Sequence, residues 1–132
     1  MQKLNSIYVV EDDVATREMM LDFLEQYKGV LVKGFKTGEM CIGEILNSKI
    51  LPDIVLMDYF LDASLVAKYT GLDTLVKIKE ISPQTRVIMF TSIDYEHIIQ
   101  LAKEKGASEY VNKGPKAFEE VKSIIDRNYN VS

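Results

Sequence analysis

The chain has 132 residues, 47% of them hydrophobic and 27% charged, with one Cys, one His and a net charge of -4. That length suits one domain, and the apolar content is enough to offset the entropy of ordering it, which excludes a disordered segment. A disulfide framework is excluded by the lone Cys41, a membrane span by the absence of any apolar run near ~20 residues, nonspecific nucleic-acid binding is disfavoured by the acidic balance, and a zinc site by the scarcity of His and Cys.

Ile7 to Val10 predicts a first strand, and the Glu11-Asp12-Asp13 that follows at once is unlike a secretory leader. With its single thiol the chain fits a reducing compartment, the cytoplasm. Val14 to Tyr27 has helical period, with Met19, Met20, Phe23, Leu24 and Tyr27 on one apolar stripe expected in the core, and Gly29 placed to close it. Val30 to Val32 predicts a second strand. Glu39 to Asn47 predicts a short helix carrying Met40, Ile42, Ile45 and Leu46, with Cys41 as a buried inert thiol. Ile54 to Met57 is a third strand. Leu72 to Ile81 is a helix that opens on a capping-box pattern, Thr70-Gly71-Leu72-Asp73, and stops before Pro83. Val87 to Phe90 is a fourth strand. Tyr95 to Lys105 is a helix capped by Asp94, carrying His97 as a surface residue. Glu109 to Val111 is a fifth strand, and Ala117 to Asn128 a fifth helix. Asn128 to Ser132 reads as a frayed end.

Strand and helix alternate five times, which predicts an α/β doubly wound parallel sheet with helices on both faces. In such sheets ligands bind beyond the carboxyl ends of the strands. Glu11-Asp12-Asp13 follows the first strand, Asp58 the third, Thr91-Ser92 the fourth and Asn112-Lys113 the fifth. The fold would bring these together. Acids this close cannot all ionise without a cation. Oxygen donors without His or Cys point to Mg²⁺. A carboxylate beside Mg²⁺ and a lysine is a suitable nucleophile for a phosphoryl group, with Thr91 donating to the same oxygens. The acidic triplet alone could equally be a solvated loop capping a helix; Asp58 at the end of an apolar strand is harder to explain that way.

In Val9-Val10-Glu11-Asp12, Leu56-Met57-Asp58, Phe90-Thr91-Ser92 and Tyr110-Val111-Asn112-Lys113 the chain resembles the receiver domains of two-component response regulators, over essentially its whole length. The resemblance implies a flavodoxin-like (βα)5 sandwich with strand order 2-1-3-4-5 and a single receiver domain over residues 1–132. It implies that Asp58 is the phosphoacceptor, loaded from a phosphohistidine on a sensor histidine kinase or histidine phosphotransfer protein. Glu11, Asp12, Asp58 and the carbonyl of Phe60 would hold Mg²⁺; Thr91 and Lys113 would contact the phosphoryl group. Tyr110 would be the switch residue, and the fourth helix, fifth strand and fifth helix the responsive face. Asp13 falls one place past the acid pair and reads as a helix cap.

The chain departs from the family pattern in three places. Asp62 stands where proline is common, and Gly71 lies thirteen places after Asp58, so the loop from Tyr59 to Thr70 is longer than usual. It could serve as local packing or as a partner-contacting lid. Gly114 rather than proline follows Lys113, which predicts a trans peptide with an unusual backbone angle at Gly114. In receivers that this chain resembles, the side chains two places after the acceptor and after the threonine border the approach of the hydrolytic water; here they are Phe60 and Ile93, both apolar, so the resemblance implies a long-lived phosphoryl group. With no output module expected after the fifth helix, the chain reads as a single-domain regulator or a piece of a longer one. It is not expected to be a conventional enzyme. The alternatives are a degenerate receiver that binds partners without phosphorylation, and an aspartyl-nucleophile phosphatase, against which Phe60 stands at the place of the second acid.

Overall fold

The computed structural model describes residues 1–59 and 69–131. Its elements are β1 (Gln2–Lys3), β2 (Ser6–Val10), α1 (Val14–Leu24), β3 (Leu31–Phe35), α2 (Gly38–Asn47), β4 (Ile54–Met57), α3 (Gly71–Ile81), β5 (Arg86–Thr91), α4 (Glu96–Glu104), β6 (Glu109–Asn112), α5 (Ala117–Asn128) and β7 (Tyr129–Asn130). Strands β2 to β6 form one parallel sheet in the order β3-β2-β4-β5-β6. Counted among themselves, these five strands have the expected 2-1-3-4-5 order. No helix among the described residues is long and apolar enough to cross a membrane.

Alternate residues of a strand face opposite sides of the sheet. Ile7, Val9, Ile54, Leu56, Ile88 and Phe90 pack on one face with Met20 and Leu24 of α1 and Val121 and Ile125 of α5. Tyr8, Val10, Val55, Met57, Val87 and Met89 pack on the other with α2, α3 and Ala102 of α4. Cover on both faces is why these runs read as unbroken apolar stretches. Each such side chain contributes about 1.5–3 kcal/mol by leaving water, so the central strands are held rigidly and their ends are fixed platforms.

Local signals start the helices where the sequence places them. The Asp13 carboxylate accepts from Thr16 N at 2.8 Å, as expected of a cap. The capping box closes in both directions, Asp73 N to Thr70 Oγ1 at 3.1 Å and Thr70 N to Asp73 Oδ2 at 3.2 Å. Cys41 is fully buried, and burial pushes its thiol up to about 12, consistent with an inert role. His97 is exposed and stacks on Tyr95.

Some expectations need correction. Met19 is 57% exposed, because Met20 and Leu24 take the inward positions of α1 and Met19 is turned about 100° away from Met20 by the helical repeat. Likewise Met40 and Leu46 are exposed while Cys41, Ile42 and Ile45 face the sheet. Helix α1 ends at Leu24, and Tyr27 is buried from the following turn, its hydroxyl donating to Asp126 Oδ1 at 3.1 Å. Strand β3 runs on to Phe35, since an edge strand tolerates Lys33 and Gly34. The N-cap of α4 is Tyr95, not Asp94, and no side chain caps it. The Lys113–Gly114 peptide is trans as expected, but Gly114 is not at positive φ.

Tyr129 and Asn130, expected to fray, are ordered by strand pairing. Tyr129–Asn130 pairs in parallel with Gln2–Lys3 as a separate two-stranded ribbon. Tyr129 is 2% exposed, with the Arg86 guanidinium 5.7 Å above its ring. Asp53 holds the other side of the ribbon, its carboxylate accepting from Asn5 N at 2.7 Å, Ser6 N at 3.1 Å and Gln2 Nε2 at 3.1 Å. Two-residue strands have no periodicity to read, so nothing but the single tyrosine marks this closure in the sequence. Replacing Tyr129 with Ala should lower the unfolding free energy by about 3–5 kcal/mol, as for other buried aromatics. Urea titration checks this; a frayed end would give less than about 0.5 kcal/mol.

Candidate functional site

The sheet's hydrogen-bond ladder runs one residue beyond the strands and carries the candidate residues with it. Glu11 N donates to Phe35 O at 3.0 Å, Asp58 N to Val10 O at 3.1 Å and Lys113 N to Thr91 O at 2.8 Å. Residues that follow their strands directly in the sequence are therefore pinned at the sheet's carboxyl edge. Glu11 and Asp58 are buried, at 3% and 6% exposure, and Asp12 is half-buried. The Lys113 ammonium lies between the two buried acids, 2.5 Å from Glu11 Oε1 and 3.2 Å from Asp58 Oδ2. Its position over the Phe90 ring, 5.7 Å from the centroid, adds a cation–π contact.

The backbone around Asp58 is gripped from a second side. A Cβ placed on Gly71 would fall 2.1 Å from the Asp58 carbonyl oxygen and 2.7 Å from Tyr59 Cα. Only glycine lets the start of α3 approach this closely, and its N–H donates to Tyr59 O at 3.1 Å. Neither Gly71's contact nor the reach of Arg17 Nη1 to the Glu11 carbonyl at 2.6 Å was foreseen. The only hints were the capping-box glycine and a cation four residues after the Asp13 cap.

Burial pushes the Glu11 carboxyl up to about 7; Asp58 adds to the rise and Lys113 opposes it. For Lys113, burial favours the neutral amine, but the two carboxylates outweigh it and hold the ammonium above its ordinary range. Asp13 lies outside this group: Thr16 bonds its carboxylate and lowers it. One carboxylate oxygen each from Glu11, Asp12 and Asp58 lies within 4.8 Å of the others. Octahedral Mg²⁺ with bonds of about 2.0–2.1 Å separates its ligand oxygens by about 2.9 Å (adjacent) to 4.2 Å (opposite). A small contraction of this oxygen-only set would therefore hold the ion. Thr91 ends β5 fully buried, and its Oγ1 accepts from Ile93 N at a long 3.5 Å. Tyr110 of β6 is half-buried, donates to Ile93 O at 2.8 Å, and is pushed up to about 12 by burial. The structure therefore brings Glu11, Asp12, Asp58 and Lys113 together, with Thr91 and Tyr110 on the adjoining strands. Phe60 and most of the long loop lie outside the described residues.

The response regulator receiver domain model matches residues 7–126. The chain belongs to this family. The receiver is 26% identical over 121 residues to a probable C4-dicarboxylate response regulator, DctR, of Bacillus subtilis, covering 92% of this chain and 50% of that protein. It thus spans about half of that relative's length. It is 28% identical to the protein CcdB of the same organism, covering 92% of each. Among solved structures it is similar to the BeF3-activated DrrB receiver domain, with a TM-score of 0.77 and 30% identity over 94% of this chain and 96% of that one. DrrB is described as a Thermotoga maritima OmpR/PhoB homolog, and its structure in a longer chain gives a TM-score of 0.75 at 30% identity, covering 96% of this chain and 55% of that one.

The raised carboxyl of the receiver's Glu11 has a consequence for stability without metal. The folded state holds its proton up to about pH 7, against an ordinary value of 4.5. Its stabilising contribution is complete below the lower value and is lost as the pH rises through the upper one. The urea midpoint of the protein in EDTA should show this fall between those limits, and Glu11→Gln should remove that part of it. An unchanged profile in the variant would contradict the assignment.

Proposed function

We propose that this receiver is the phosphoacceptor switch of a two-component or phosphorelay system, cytoplasmic and not a conventional enzyme. The observation that carries the reading is Lys113 held between buried Glu11 and Asp58, with Asp12 alongside. An Asp58 carboxylate oxygen attacks the phosphorus of a phosphohistidine on a sensor histidine kinase or a histidine phosphotransfer protein. The O–P bond forms as the N–P bond breaks, and the imidazole leaves with the bonding pair and takes up a proton. Lys113, already 3.2 Å from Asp58, neutralises charge on the transferred oxygens. Glu11, Asp12, Asp58 and the Phe60 carbonyl would hold Mg²⁺, which supplies further positive charge there when bound.

The readout follows from the link between Thr91 and Tyr110. The Thr91 hydroxyl is weakly held and can turn toward a phosphoryl oxygen. Tyr110 is bonded to Ile93, two residues beyond Thr91, so displacement of that loop reaches Tyr110 directly. The surface made by α4, β6 and α5, with Ile98 and Tyr110 as candidate contacts, then shifts its population between two states.

Mass measurement after acetyl phosphate with Mg²⁺ should show one phosphoryl addition that is lost in Asp58→Asn. Addition that persists in that variant would move the acceptor elsewhere, no addition to the parent would favour phosphorylation-independent binding, and turnover of external phosphoesters a phosphatase. The phosphoryl group should be long-lived, because Ile93 and Phe60 cannot hydrogen-bond an attacking water. Ile93→Glu or Phe60→Asn should therefore lose phosphate faster than the parent; if neither does, the apolar neighbours do not set the lifetime.

A further inference from the structure

We propose that Arg17 is a positioning residue for the metal-binding acids, its guanidinium fastening the Glu11 carbonyl across Gly34 of β3 so that Glu11 and Asp12 face the crevice. This rests on the reading that these acids hold Mg²⁺. Arg17 is half-buried on the first turns of α1. Its Nη1 donates to Glu11 O at 2.6 Å. Among the described residues the guanidinium forms no ion pair, although the acids of the crevice begin one peptide away. A guanidinium that bonds the main-chain carbonyl of Glu11 and no carboxylate within ion-pair distance is serving the backbone.

The route of the side chain supports this. A Cβ on Gly34 would stand 3.2 Å from Arg17 Cδ and 3.3 Å from Cγ, so the arginine stem lies flat on the glycine. Glu11 is thereby tied on both sides: its N–H bonds β3 at Phe35 O, and its carbonyl receives the guanidinium. Those two bonds fix the peptide that leads into Asp12, and with it the direction of both acids. The bond is charge-assisted, so it is a strong one of its kind. Lysine carries the charge but lacks the planar fork that reaches sideways.

Charge and position predict opposite results, which makes the proposal testable. If Arg17 acted only as a nearby positive charge, removing it would tighten Mg²⁺ binding. As a positioning residue, its loss should weaken binding by about tenfold, the usual scale for groups that orient ligands. The experiment is a Mg²⁺ titration of the full chain followed by the amide shifts of Asp12 and Asp58, for the parent, Arg17→Met and Arg17→Lys, with melting temperatures alongside. Weaker binding in both variants is expected. Met binding as tightly as or more tightly than the parent overturns the proposal, as does a lowered melting temperature with unchanged affinity. Should the Met variant not fold, parent-like affinity in Arg17→Lys overturns it equally. No Mg²⁺ uptake by the parent would overturn the metal reading itself, and the proposal with it, a result distinct from variants that merely match a binding parent.

Discussion

The organisation of the molecule turns on one electrostatic requirement: buried carboxylates at adjacent strand ends must be neutralised. Lys113 meets it for Glu11 and Asp58. The ammonium opposes the rise that burial imposes on the Glu11 carboxyl without cancelling it, and a buried charge left unpaired costs several kcal/mol. The ammonium comes from the end of β6, two strands away from β4 and three from β2. One contact therefore depends on the whole order of the sheet, and any slip in strand register would undo it. The same arrangement makes the site sensitive to charge, because any further ion entering it would redistribute the balance between Lys113 and the two acids.

The rest of the chain serves to hold these groups still. The two apolar layers fix the strands, and the ladder continues one bond past them to Glu11, Asp58 and Lys113. Gly71 then brings the start of α3 against the Asp58 carbonyl, and Asp13 caps the start of α1 beside the acids. On the side of β5 and β6 the Thr91 hydroxyl has only a long 3.5 Å bond, and α4 begins without a side-chain cap. Rigid acids beside a loosely held hydroxyl suit a device that receives a charge in one place and reports it in another.

Much of this was legible from sequence because the site residues follow their strands without an intervening residue. Glu11 after Val10, Asp58 after Met57 and Thr91 after Phe90 inherit their placement from the apolar runs. The alternation of strands and helices gave the sheet, and the Thr70-Asp73 box gave the start of α3. What escaped depends on three-dimensional approach rather than on pattern. Met19 and Met20 are chemically equal and differ only in helical angle. Gly71 and Gly34 matter through what presses on them, which no local signal encodes. Tyr129 is buried by Arg86 and the Asp53 region, remote in the chain.

The ribbon formed by Gln2–Lys3 and Tyr129–Asn130 joins the two termini at the amino ends of the strands, where Asp53 ties Asn5 and Ser6 just ahead of β4. The crevice lies at the carboxyl ends. Anything attached to the molecule by either terminus, whether a dye, a solid support or another folded unit, would thus hang from the pole away from the acids. A receiver tethered this way presents its acidic crevice outward, unobstructed by whatever holds it.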